Sequence, residues 1–240
     1  MTRVAISIAS IAAVCFAGLA RADTVQVNLG TFVNGDLTGY TGGSSYPQHG
    51  GSITVDGITF DLATIGSQND TAIVQTNGTQ DFSIPVDISG VSSVYVLVDS
   101  AFGSCGSTVG QIDFVGSSQT DVYKLTEGDN LRDHFNGQFC NTAGSVTGTA
   151  NFGSDRLDMD AIKLPASFLH QTLESIDFKG FGNDPLGEPF LAALTLVNRT
   201  SLTDQTNLNG LADPAPVPEP SSLLFLGIAC GAMLLFKRGL

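Results

Sequence analysis

The chain has no tryptophan, 3 methionines, 3 histidines and only 10 lysines and arginines against 23 acidic residues. Without indole rings, any stacking platform must come from phenylalanine, which occurs 15 times beside 4 tyrosines. The histidines, His49, His134 and His170, are too scattered to suggest a zinc site. No G-x-S-x-G, H-E-x-x-H or phosphate-binding glycine loop occurs, so the usual signatures of acyl transfer, zinc hydrolysis and nucleotide binding are missing. Arg3, Arg21, Lys237 and Arg238 lie at the extreme ends, whereas every acid lies between Asp23 and Glu219. Residues 23–220 therefore set 6 basic side chains against 23 acidic ones, a formal charge of −17. Such a surface repels phosphate backbones, and no nucleic-acid partner is expected.

What is present is alternation. Val25, Val27 and Leu29; Ile53 and Val55; Ile58, Phe60 and Leu62; Ile112 and Phe114; and Ile176 and Phe178 each recur at period two among polar residues, the pattern of half-buried strands. Asp56-Gly57 between two such runs predicts a tight hairpin turn. Val94 to Val98 is continuously apolar and predicts a strand buried on both faces, with Phe190 to Val197 a similar strand. Ser167 to Gln171 has room for one helical turn. Short strands separated by the 28 glycines and other turn residues predict an all-β fold, an antiparallel two-sheet jelly-roll-like sandwich over 23–199. Of the acids, 19 are Asp and 4 are Glu, a bias that favours loops.

The two ends differ from this domain. Residues 1–22 carry Arg3, then an apolar stretch, then Ala20-Arg21-Ala22 before Asp23, the layout of a signal peptide cut by signal peptidase after Ala22. Residues 200–216 are rich in Asn, Asp, Thr and Pro and read as a tether. In the final segment, 217–240, Val217-Pro218-Glu219-Pro220 precedes an apolar run from Leu223 to Phe236 and then Lys237-Arg238. That run spans about 21 Å as a helix, short for a hydrocarbon core unless flanking residues extend it as a C-terminal transmembrane helix. This three-part tail resembles the PEP-CTERM sorting domain. The resemblance implies an exosortase as processing partner, transient membrane contact through the tail, a Gram-negative host and an association with exopolysaccharide.

Cys15 and Cys230 fall in the end segments, which leaves Cys105 and Cys140 in the exported domain as an expected disulfide. Near them, Val94 to Gly103 and Asn130 to Phe139 resemble the rim of galactose-binding-like jelly rolls. Asp99, Arg132, Asp133, His134 and Asn136, with Phe135 or Phe139 as a platform, are the candidate ligand-binding residues. The alternative for this stretch is structural, with Arg132 paired to Asp133 or Asp129. No cofactor is expected apart from a structural calcium, for which Asp155, Asp158 and Asp160 are the candidate ligands; otherwise they are solvated turn residues. Glu127, Glu174 and Glu188 offer no obvious buried acid for catalysis. The domain thus reads as non-enzymatic, structural or carbohydrate-binding. A secreted polysaccharide hydrolase is the alternative and requires two carboxylates about 5 to 10 Å apart in a cleft.

Overall fold

The computed structural model describes residues 22–37, 46, 51–62, 71–74, 81–135, 137, 139–182 and 187–199. The greater part of the signal segment, the tether, the sorting tail and Asn136 lie outside the described residues. Within them the chain forms thirteen strands: β1 (Ala22–Val27), β2 (Gly35–Asp36), β3 (Gly51–Val55), β4 (Ile58–Leu62), β5 (Thr71–Val74), β6 (Asp81–Ser89), β7 (Val91–Ala101), β8 (Thr108–Gly116), β9 (Thr120–Thr126), β10 (Gly148–Phe152), β11 (Asp155–Lys163), β12 (Thr172–Gly180) and β13 (Glu188–Arg199). One 3-10 turn, Ala166–His170, follows Leu164-Pro165, and no described helix is long and apolar enough to cross a membrane.

The strands assemble into a large sheet, ordered β10-β11-β7-β13-β5-β2 with β1 also on β13, and a four-stranded sheet ordered β6-β12-β8-β9. Every pairing between these strands is antiparallel, and the two sheets share one apolar core, so the fold is an all-β, sandwich-like arrangement. Val94, Val96 and Val98 of β7 and Leu194 and Leu196 of β13 meet Ile112, Phe114, Ile176 and Phe178 of the smaller sheet there.

The β3-β4 hairpin forms a third layer on the other face of the large sheet. Asp56 (φ 47°) and Gly57 (φ 84°) are both left-handed, as a two-residue hairpin turn requires. Phe60, Val55 and Leu62 pack there against Leu97, Leu157, Met159 and Phe190, and Thr195 Oγ1 donates to the Thr59 carbonyl at 2.8 Å. The predicted burial of β7 on both faces is therefore observed, the hairpin covering the second face. In β13 the register shifts between Leu191 and Ala193, which lets Ala192 and Ala193 both join this outer core.

Candidate functional site

The site lies where β7 and β11 part. They pair from Ser93 to Leu97 against Lys163 to Met159, and beyond that point residues 131–135 wedge between them. The Ser100 N–H donates to the Arg132 carbonyl at 3.1 Å, the His134 N–H to the Ser100 carbonyl at 2.9 Å, and the Arg156 N–H to the His134 carbonyl at 3.0 Å. At the fork itself a side chain replaces the missing ladder partner. Asp99 Oδ2 accepts the Asp158 N–H at 2.8 Å, satisfying a backbone donor that burial would otherwise leave orphaned.

The wedge brings charge into the interior. Arg132 forks onto Asp158 through Nε to Oδ2 at 2.5 Å and Nη2 to Oδ1 at 2.8 Å, and Thr149 Oγ1 donates to the same Oδ1 at 2.8 Å. The Arg132 side chain keeps 20% of its surface exposed, but Asp158 keeps 1%. Arg156, also buried, donates through Nη2 to the Asp133 carbonyl and to Asn141 Oδ1, both at 2.5 Å. The Asp133 carboxylate accepts the Phe102 N–H at 2.6 Å and the Phe135 N–H at 2.8 Å, so one side chain pins both β7 and the wedge. Ser100 Oγ donates to Glu127, Tyr123 Oη to Asp160 Oδ2 at 3.1 Å, and Tyr46 Oη to the Arg156 carbonyl at 2.9 Å.

Burial sets the protonation of this network. It raises Asp99 well above the ordinary carboxylate range, and the neighbouring Asp158 adds to the rise. Burial also pushes Asp160 up to about 7, against the opposing Tyr123 hydroxyl. Asp133 is raised to about 6 by burial, with the Phe135 and Phe102 N–H groups pulling the other way. His134 is lowered to about 4 by burial and then by the nearby Arg156 charge. Its ring is therefore neutral at ordinary pH, and the 3.8 Å approach to Asp155 is not a charged pair there. Asp99 Oδ1 and Asp160 Oδ1 have no hydrogen-bond partner among the described residues. A carboxyl held in its protonated form removes the cost of an uncompensated charge at such a place.

The structure thus brings Asp99, Arg132, Asp133 and His134 together, but turned inward. Arg132 takes Asp158, neither Asp133 nor Asp129; the Asp133 carboxylate accepts two backbone donors and Asp129 is exposed. Asp155, Asp158 and Asp160 are not solvated turn residues. They lie buried in β11, where alternation puts Asp158 and Asp160 on one face and Asp155 on the other. Among the described residues no group of three or more His, Cys, Asp or Glu side chains is arranged to hold a metal ion. Glu127, expected from its sequence context to offer no buried acid, is an interior residue too. A surface hollow at the other end of the sandwich, lined by Ser92, Ser93, Lys163, Leu164, Ala166, Leu169 and Arg199, carries no carboxylate.

Two aromatic rings face solvent at the forked end. Cys105 and Cys140 form the expected disulfide, with their Cα atoms 5.2 Å apart. Beside it Phe102 and Phe139 are 39% and 52% exposed, and their rings meet edge to face with centroids 5.2 Å apart at 88°. Phe135 is only partly exposed. Phe102 was not among the platform residues expected from sequence, because an apolar residue at the end of an apolar strand reads as core. Its one local signal is the glycine that follows. Gly103 adopts φ 101°, and a Cβ there would lie 2.5 Å from Glu127 Oε1.

No family model and no curated protein matches the sequence. Among solved structures, the K2 cleaved adhesin domain of Lys-gingipain resembles the chain at a TM-score of 0.33 and 13% identity, covering 72% of this chain and 99% of that domain. A likeness at that level decides neither topology nor function.

Proposed function

We propose that the chain is an exported PEP-CTERM protein, a substrate of signal peptidase and exosortase, whose jelly-roll-like domain is a non-enzymatic surface module associated with exopolysaccharide, structural or carbohydrate-binding. The observation that carries this reading is the tail: Val217-Pro218-Glu219-Pro220, the short apolar run and Lys237-Arg238 in that order. In this reading the apolar run serves as a short transmembrane helix that holds the protein transiently before processing, in a Gram-negative envelope.

The domain supports the reading by the way it uses charge. Its disulfide suits an oxidising compartment. Its buried carboxylates accept backbone N–H groups and arginine donors inside the fold, a structural employment that leaves the exposed Phe102 and Phe139 as the distinctive outer feature. The test is the intact mass of the mature protein from its native host, beside the same protein from an exosortase-deficient strain. The expected mass lacks residues 1–22 in both strains and lacks the tail only where exosortase is present. A tail of identical mass in both strains overturns the sorting half. Retention of the purified protein on the host's own exopolysaccharide tests the other half.

A further inference from the structure

Phe102 and Phe139 are held in a backbone conformation that bulky residues avoid. Their φ angles are 68° and 53°, in the left-handed region where a Cβ crowds the following carbonyl. Such outliers persist only where surrounding structure over-determines them, and here it does. The Phe102 N–H is bound by Asp133 Oδ2 at 2.6 Å, and its carbonyl lies 3.0 Å from Ser100 Oγ, whose single proton it shares with Glu127. Phe139 precedes the bridged Cys140, whose carbonyl accepts the Asp133 N–H at 2.9 Å, and the Gly137 N–H donates to Asn141 Oδ1 at 3.2 Å behind it. One residue, Asp133, therefore fixes both sides of the corner. The fold spends strain and exposes apolar surface to place two rings at right angles in solvent.

Size and charge decide what such a corner fits. Exposures of 39% and 52% add up to about one phenylalanine of open surface, roughly 200 Å². A stable protein–protein interface needs about 800 Å² from each partner, so a folded protein is too large an occupant for this patch to hold by itself. A sugar ring presents one apolar face of C–H groups that an aromatic ring can cover, and a perpendicular second ring closes one side. The formal charge of −17 over residues 23–220 opposes anionic membranes and acidic polymers alike. We infer that the Phe102–Phe139 corner is a binding subsite for the C–H face of an uncharged hexopyranose ring. This rests on the exopolysaccharide reading above and names the ligand class for it.

The test is saturation-transfer NMR and calorimetry on the full exported chain with its disulfide intact, using neutral hexasaccharides of glucose, galactose and mannose and a hexuronate oligomer. Phe102→Asn and Phe139→Asn remove one ring each, and Asn tolerates the left-handed backbone. Val122→Asn removes an exposed apolar side chain elsewhere, on β9. The expected result is saturation on the ring C–H protons of a neutral hexasaccharide, at least tenfold weaker binding in each Phe variant, none lost with Val122→Asn, and the hexuronate at least tenfold weaker than the neutral sugar. Melting temperature and intact mass report that the variants remain folded and bridged. Neutral-sugar binding that survives both Phe substitutions overturns the inference, as does absence of neutral-sugar binding, preference for the hexuronate, or rings that serve only vesicle binding or self-association. If the variants still adhere to the host exopolysaccharide, the corner is not the site while the surface function stands; if wild type does not adhere either, the exopolysaccharide reading fails with it.

Discussion

The two ends of β7 are built on different chemistry. At its start, around Val91, the chain is stitched by neutral groups: Gln171 Oε1 accepts the Ser118 N–H at 3.0 Å and Ser118 Oγ at 2.8 Å, the Arg199 N–H donates to the Gly90 carbonyl at 2.9 Å, and Phe168 fills the space beneath. At its finish, about 33 Å away at the usual rise per residue, the strand parts from β11 and the gap is filled by carboxylates and guanidinium groups. The neutral end closes by packing. The charged end closes around a wedge from a distant part of the sequence, held by its backbone bonds to Ser100 and Arg156, by the Asp133 carboxylate and by the neighbouring Cys105–Cys140 bond. The contrast teaches that this sandwich gathers its disulfide, Asp133 and His134 at one end, with Asp160 midway along β7, opposite Val96.

Four measurements test the contrast. Replacing both cysteines with serine releases a 35-residue separation and should destabilise the protein by about 4 kcal/mol in the chain-entropy model, read from urea denaturation. Hydrogen exchange should rise first at residues 131–135 and last near Gln171; uniform loss of protection breaks the comparison. Arg132→Ala leaves the buried Asp158 without its fork, and it should cost about 3 kcal/mol, because removing one partner of a buried pair strands the other.

The third measurement is pH dependence. Asp160, near 7, and Asp133, near 6, hold protons in the folded state that the unfolded chain releases above about 4, so folding stability falls as pH rises through that window. His134 works in the opposite direction. Held neutral down to about 4, it loses stability for the fold as pH drops below the ordinary histidine value of 6.5. The carboxyls outnumber it, and a net decline from pH 4 to 7 is expected. Asp160→Asn should stabilise the protein on the order of 2 kcal/mol at pH 8, with no change at pH 4. Equal effects at both pH values would show that Asp160 does not carry the slope. The smallest effect belongs to the neutral end, where Gln171→Ala should cost about 1 kcal/mol at every pH, as a lost side-chain hydrogen bond does.

The fold was legible wherever alternation was strong. Ile112 and Phe114, Ile176 and Phe178, the Asp56-Gly57 turn and the doubly buried Val94 to Val98 all follow from residue period and turn chemistry, and the cysteine pair from placement. The charged fork was not legible. Aspartate signals loops, and nothing local to Asp155, Asp158 or Asp160 says that β11 loses its neighbour and needs side chains to replace it. Asp99 and Arg132 stand out together in the sequence, but their inward direction depends on a wedge whose hydrogen bonds to Ser100 and Arg156 no local pattern announces. Phe139 is legible as a platform residue beside the polar stretch 130–136, whereas Phe102 needs the turn at Gly103 to bring it out of the core.

The central strand β13 has a mechanical consequence. Arg199, at its last position, lies opposite Ala22, while Glu188, at its first, lies opposite Ala101, the residue before Phe102. A load pulling Arg199 against something gripped at the aromatic corner would run along the strand. β13 is hydrogen-bonded to β7 on one edge and to β1 and β5 on the other. Those bonds lie across the line of force, so they would be sheared together and not peeled one by one. A tension of that direction meets the sandwich along its strongest axis.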